Sequence, residues 1–297
     1  MNRCAGVLLL SGLLAFALPA ADTDKPLEPV NLPINTAKDE DDPHVASTHL
    51  TLYFVTNANK KLEIMAATRK TVNDPWAAAG PVPYFKSKDS DFRSPFVTPE
   101  GKYPQRFYCS SNVDPLAKGA KGENYDIYTL LKVDAKAEYG GLNSVNPICT
   151  ELDEMHPWVT PDDRHVYFSR RTEGGWRQFM ASRPADGGQF GAPVQLKLPL
   201  GYHHATLTPD GKTMYLQGPV ESSTKTRRWG LYVSTSKDGK TWERPQPLTR
   251  LNHATAPQGD MSPSLSRDGK MLYFASDRPG GKGGLDIWAI PTAELKP

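Results

Sequence analysis

The chain has 297 residues, with 35 Lys and Arg against 33 Asp and Glu and 38% hydrophobic residues. A near-balance of charge without a basic run or stripe excludes a nucleic-acid footprint, and the length suits one or two domains with a buried core. The one long apolar run lies at the very start, so the rest of the chain predicts no membrane span.

Met1–Ala20 opens with Arg3, continues through the apolar run Val7–Leu18 and closes on small residues ahead of polar Asp22–Lys25. A short apolar stretch behind one positive charge reads as a cleaved secretory signal, since spanning a bilayer takes about 20 apolar residues. A lipoprotein signal needs its cysteine at the end of that run, and Cys4 precedes it. The mature chain, residues 21–297, is therefore expected to be periplasmic or secreted. Its two cysteines, Cys109 and Cys149, are a candidate disulfide in an oxidising compartment, with a buried free thiol at the apolar strand position of Cys109 as the alternative.

Pro26–Asn35 reads as a solitary strand rich in proline. A three-strand meander then recurs five times, starting at Pro43, Pro95, Pro157, Ala205 and Pro263 and spaced roughly 50 to 60 residues apart. The last copy is the clearest. Ser262–Ser266 alternates, Asp268-Gly269 signals a hairpin, Met271–Ser276 is a second strand, and Leu285–Ile290 follows a glycine-rich turn as a third. The other third strands are Leu62–Ala66, Tyr125–Leu130, Trp176–Ala181 and Trp229–Ser234. Outer strands carry prolines, as in Pro81-Val82-Pro83 and Pro245–Leu248, because an outermost strand has one edge free of ladder bonds. Ala117–Glu123 reads as a surface loop.

Such self-similarity in an all-strand pattern predicts a propeller. The fifth copy ends at Ile290 without an outer strand, and Pro26–Asn35 resembles Pro245–Asn252. We therefore expect an all-β, five-bladed β-propeller of four-stranded blades. It forms a single domain and a monomer, its ring closed by the N-terminal strand completing the last blade.

The pattern S-P-x-[apolar]-S-x-D-G-K-x-L-Y-F-x-S, best preserved over Ser262–Trp288 and His156–Phe179, resembles the WD40-like propeller repeats of TolB-type periplasmic proteins. That resemblance implies a propeller of four-stranded blades used outside the cytoplasm, in a family that spans partner-binding scaffolds and carbohydrate-related proteins. We read the chain as a non-catalytic module that binds a protein, peptide or glycan at one mouth, with no cofactor.

A propeller's inner strands line a central channel whose mouth is the default ligand site. The residues just before the five anchors are Asp42, Ser94, His156, His204 and Ser262, with Arg93 and His203 one place earlier and Glu154 and Asp260 two places earlier. Asp42, Arg93, Glu154, His156, His203, His204 and Asp260 are thus the candidate mouth residues. Two further readings follow. Asp42, Glu154 and Asp260, joined by Asp91, offer carboxylates from different blades, as a glycoside hydrolase or lyase needs two about 5–10 Å apart. His44, His156 and His204 offer neutral imidazoles for a divalent ion of the zinc or manganese type. Ser236–Trp242 looks like a damaged sialidase Asp-box, itself a turn device, and Gly280–Gly284 joins two strands rather than opening a helix, which argues against a phosphate loop.

Overall fold

The computed structural model describes residues 25–85, 87–114, 120–220 and 228–295. The signal reading of Met1–Ala20 lies outside them.

The chain forms five four-stranded antiparallel sheets arranged as a five-bladed propeller, as the repeats predict. β1 is Val30–Asn31. Blade one is Glu40–Val45, Thr51–Thr56, Glu63–Thr68 and Gly80–Pro81 (β2 to β5). Blade two is Phe92–Val97, Gln105–Asp114, Ala120–Lys132 and Gly140–Ser144 (β6 to β9). Blade three is Glu154–Val159, His165–Thr172, Gly175–Ser182 and Val194–Gln195 (β10 to β13). Blade four is His203–Leu207, Thr213–Val220, Arg228–Thr235 and Gln246–Pro247 (β14 to β17). Blade five holds Asp260–Leu265, Met271–Ser276 and Asp286–Pro291 (β18 to β20), and its fourth place is filled by β1. Among the described residues no helix is long and apolar enough to cross a membrane.

Strand alternation glues the blades together. Side chains of successive strand residues face opposite ways, so Leu52 and Phe54 of β3 pack with Leu32, Ile34, Tyr273 and Ile287 of blade five. Val55 packs the other way, with Phe107 and Cys109 of blade two. The first hairpins of blades three, four and five share one device: Ser266 Oγ donates to Asp268 Oδ1 at 2.7 Å, and the same oxygen accepts from Lys270 N. Thr160 with Asp162 and Thr208 with Asp210 repeat it. Asp238 does likewise at the Asp-box-like turn, accepting from Lys240 N and Thr241 N.

Two expectations are corrected. Cys109 and Cys149 are free thiols. Cys109 lies between blades one and two, whereas Cys149 packs on the core between blades two and three, so the sheet of blade two separates them. Burial pushes both thiols up, Cys149 to about 11. The segment read as a loop is in part strand, since β8 begins at Ala120.

Ring closure follows the expected path. Val30 pairs with Ala289 and Asn31 with Trp288. Asn35 exchanges side-chain bonds with both the N–H and the C=O of Ile287 at 2.9 Å. Leu32 and Ile34 are buried beside blade one, a burial worth about 1.5–3 kcal/mol per side chain. Deleting residues 26–35 should therefore cost several kcal/mol and lower the melting temperature sharply, while removing 296–297 should leave it unchanged. Thermal unfolding followed by circular dichroism checks this, and equal melting temperatures for the two truncations would refute closure by β1.

Candidate functional site

All five inner strands share one irregularity near their start. Asp42, Ser94, His156, His204 and Ser262 adopt left-handed backbone, with φ of 48°, 52°, 57°, 53° and 52°. Each, with the residue after it, stands opposite a single residue of the neighbouring strand, and the register shifts there. A bulge of this kind re-aims a side chain and tolerates the proline that follows. Left-handed geometry at a non-glycine residue costs on the order of 1–3 kcal/mol and persists only where the surroundings over-determine it.

Here the surroundings are the other members of the ring. Asp42 Oδ2 accepts from Ser94 N at 3.0 Å and Ser94 Oγ at 3.1 Å. Its Oδ1 accepts from Ser262 Oγ at 3.3 Å and lies 4.0 Å from His204 Nδ1. His204 stacks on His156 at a centroid separation of 3.8 Å and 12° between planes. Ser169 Oγ ties these two together: it accepts from His204 N at 2.9 Å and lies 3.1 Å from His156 Nδ1.

The ring narrows the channel to a cavity of about 30 Å³, room for roughly one water. Beyond it a second cavity of about 20 Å³ is lined by His44, Phe96, Trp158 and Arg267, and Arg267 reaches across to Val159 O. A sugar ring does not fit inside, so any larger ligand meets the ring from its open side. There Arg93 donates to Asp42 Oδ2 from Nε at 2.9 Å and to Asp41 Oδ2 from Nη2 at 3.3 Å. The Asp41 and Arg93 side chains are 18% and 20% exposed, against 1% for Asp42. Half-buried Trp176 and Trp229 stand nearby, both in ring contact with His203.

Electrostatics separates the two aspartates. Burial and the charge of Asp42 push Asp41 up to about 6. Asp42 is held below the usual carboxylate range because the Arg93 charge and the bonds from Arg93 and Ser94 outweigh its burial. Burial pulls His204 down to about 4, with Asp42 opposing, and takes His156 well below its ordinary value. At neutral pH the ring therefore holds one ionised carboxylate beside two neutral imidazoles.

The remaining predicted residues have other partners. Glu154 is fully buried and accepts from Thr150 N, Thr150 Oγ1 and Arg170 Nε. Glu40 does the same for Thr36, so this position clamps the loop leading into the blade. Asp260 accepts from Arg278 Nη2 at 2.6 Å and His253 N at 2.7 Å. Asp91 accepts from Leu62 N and the Tyr125 hydroxyl. His203 donates Nδ1–H to Gly201 O, and its Nε2 accepts from Gln217. His44 Nε2 accepts from Val97 N, and the ring leans on Phe96. The structure thus gathers Asp42, Arg93, His156 and His204, and leaves Glu154, Asp260 and His44 with structural bonds. Asp41 and Ser169 join the site unforeseen. Ser169 directly follows Tyr167-Phe168, at the register position held by Val55, Ser110, Gln217 and Ala275 in the other blades, so no repeat motif singled it out.

The fold and this neck define a five-bladed propeller with a small, charged, His-bearing ring. No protein-family profile and no curated sequence matches the chain. Solved structures do. A thermostable family-43 glycoside hydrolase superposes with a TM-score of 0.56 at 14% identity, over 88% of this chain and 91% of that one. The family-43 endo-arabinanase from Bacillus licheniformis gives 0.57 at 12%, over 88% and 95%. An α-L-arabinofuranosidase from Podospora anserina, solved with cellotriose, gives 0.54 at 11%, over 90% and 94%.

These matches overturn the likeness to TolB-type repeats. The residues that carried it, Ser266, Asp268 and Gly269 among them, are hairpin chemistry that any blade can use. The reading as a non-catalytic binding module falls with it, since the matched propellers are named as enzymes acting on glycans.

Asp126, on the third strand of blade two beside Glu154, offers a pH test of buried charge outside the ring. Burial first, then the Glu154 charge, push it up to about 6. In the unfolded chain an aspartate titrates near 3.9, so the folded state holds the proton more tightly. The associated stability is complete below that value and is lost as pH rises through about 6. Asp126→Asn removes this dependence. Its melting temperature should gain on the wild type between pH 4 and pH 7, whereas parallel pH profiles would show that Asp126 titrates normally.

Proposed function

We propose that the protein is a carbohydrate-active enzyme that engages a glycan at the open side of the ring and cleaves a glycosidic bond there. The observation that carries this reading is the convergence of Asp42, Arg93, His156 and His204 at the neck of a propeller whose matched structures are named as glycoside hydrolases. Aromatic side chains around a few convergent polar groups are the usual make-up of a sugar site, and Trp176 and Trp229 supply them.

The roles follow from the split between the two aspartates. A pair of titratable groups pushed apart by their surroundings suits acid and base duties. Asp41, partly exposed and pushed up to about 6, so that it takes a proton in mildly acidic solution, is placed to protonate a leaving oxygen. Asp42, kept ionised by Arg93 and Ser94, is placed to activate water or to steady positive charge developing on the sugar. Arg93 holds both carboxylates in register. Arabinofuranose-bearing glycans are the first substrates to try, because two of the matched enzymes are named for arabinose-containing bonds. The opening sequence supports an exported enzyme, meeting its polymer outside the cytoplasm.

The test is hydrolysis of arabino-oligosaccharides, with a panel of xylo- and gluco-oligosaccharides alongside, read by product chromatography. Asp42→Asn should lower turnover by about 100-fold or more, in line with loss of a general acid or base, while circular dichroism stays unchanged. A wild-type chain that binds and cleaves none of the panel, or an Asp42→Asn variant with full activity, would end this reading.

A further inference from the structure

Three ring side chains from three different blades bring ligand atoms together. One atom each from Asp42, His156 and His204 lies within 4.8 Å of the other two, the one such group among the described residues. The wiring around them leaves a ligand atom of each with spare lone-pair capacity. Asp42 Oδ2 is saturated by Arg93 and Ser94, but Oδ1 receives only the 3.3 Å bond from Ser262. His204 Nδ1 is buried without a hydrogen-bond partner. His156 Nδ1 is occupied by Ser169 Oγ, and with its proton there Nε2 keeps its lone pair. The cavity of about 30 Å³ is lined by all three residues.

We propose that Asp42, His156 and His204 bind one divalent transition-metal ion of the zinc class, with a fourth position left for water. Two imidazoles and one carboxylate favour such ions over calcium, which takes six to eight oxygen ligands. Beside the two neutral rings, Asp42 supplies the one carboxylate of the set, held in place by Arg93. Ser169 acts as the outer-shell partner, orienting the His156 ring through Oγ and fixing the His204 backbone through the same atom. Zinc bonds of about 2.0–2.2 Å place tetrahedral ligands about 3.4 Å apart. The set therefore contracts on binding, and the stacked imidazoles splay apart.

The metal site stands independently of the substrate. The experiment uses the mature chain, stripped with EDTA, desalted, and titrated with zinc chloride by calorimetry, with metal content read by mass spectrometry and cobalt(II) as an absorption probe. We expect one zinc per chain, a tetrahedral cobalt band, and a melting temperature raised by about 5 °C or more at a 100-fold excess over Kd. His204→Gln and Asp42→Asn should each weaken binding by about 100-fold or more, and His165→Ala, outside the ring, should not. If Asp42→Asn fails to fold, His204→Gln decides. A folded wild-type chain without stoichiometric zinc, or unchanged affinity in the folded variants, would overturn the site. Zinc bound without glycan cleavage upholds the metal and removes the carbohydrate reading, and cleavage by a zinc-free chain that cannot take up zinc does the reverse.

Discussion

The structure depends on one constraint: five twisted sheets must close into a ring with no blade face left open. A linear stack of blades would leave Leu52 and Phe54 on one end and Tyr273 and Ile287 on the other in water. Pairing β1 with β20 makes blade five from both ends of the chain. The apolar faces of blades one and five then bury each other through Leu32, Ile34, Tyr273 and Ile287. The closure joins residues some 250 positions apart, as the reciprocal bonds between Asn35 and Ile287 show. Non-local pairing of this kind carries a loop-closure entropy that the inter-blade apolar contacts offset.

Closure also creates the site. A ring of equivalent strands brings equivalent positions to the axis, and the bulge repeated in every inner strand points them there. At an axis five side chains meet in little space, so their chemistry has to be complementary. Asp42 satisfies the serines of blades two and five, while the imidazoles of blades three and four stack. The repeat supplies position, and departures from the repeat supply chemistry: two serines keep the neck small, while one aspartate and two histidines give it reactivity.

Much of the fold was legible because it rests on local rules. Asp-Gly turns, Tyr-Phe strands and proline-rich outer strands recur along the chain, and the missing outer strand of the last copy matched the extra one at the start. The candidate site was only half legible, and the cause is the bulge. Side chains alternate along a strand, so one extra residue reverses which of them faces the axis. From the sequence, Asp42, Glu154 and Asp260 look like equals. In the structure Asp42 sits at the left-handed position facing the axis, whereas Glu154 and Asp260, two places earlier, bind the incoming loops. His44, two places beyond, points to the lower cavity for the same reason. The likeness to TolB-type repeats misled because turn residues answer to hairpin geometry rather than to ancestry.

The buried charges show why so small a neck can remain folded and reactive. An isolated carboxylate without water would be protonated, yet Asp42 is kept ionised by four donors, one of them the Arg93 guanidinium. Burial and the adjacent Asp42 charge, only partly offset by Arg93, push Asp41 up to about 6. Two carboxylates a single residue apart are thus shifted in opposite directions, Asp41 up by burial and the Asp42 charge, Asp42 down by Arg93 and Ser94. The neighbouring histidines remain neutral because a second cation beside Arg93 would lack solvent to screen it. Strain in the five left-handed residues is held by these same bonds, so the interactions that fix the backbone at the neck also set the protonation of its reactive groups.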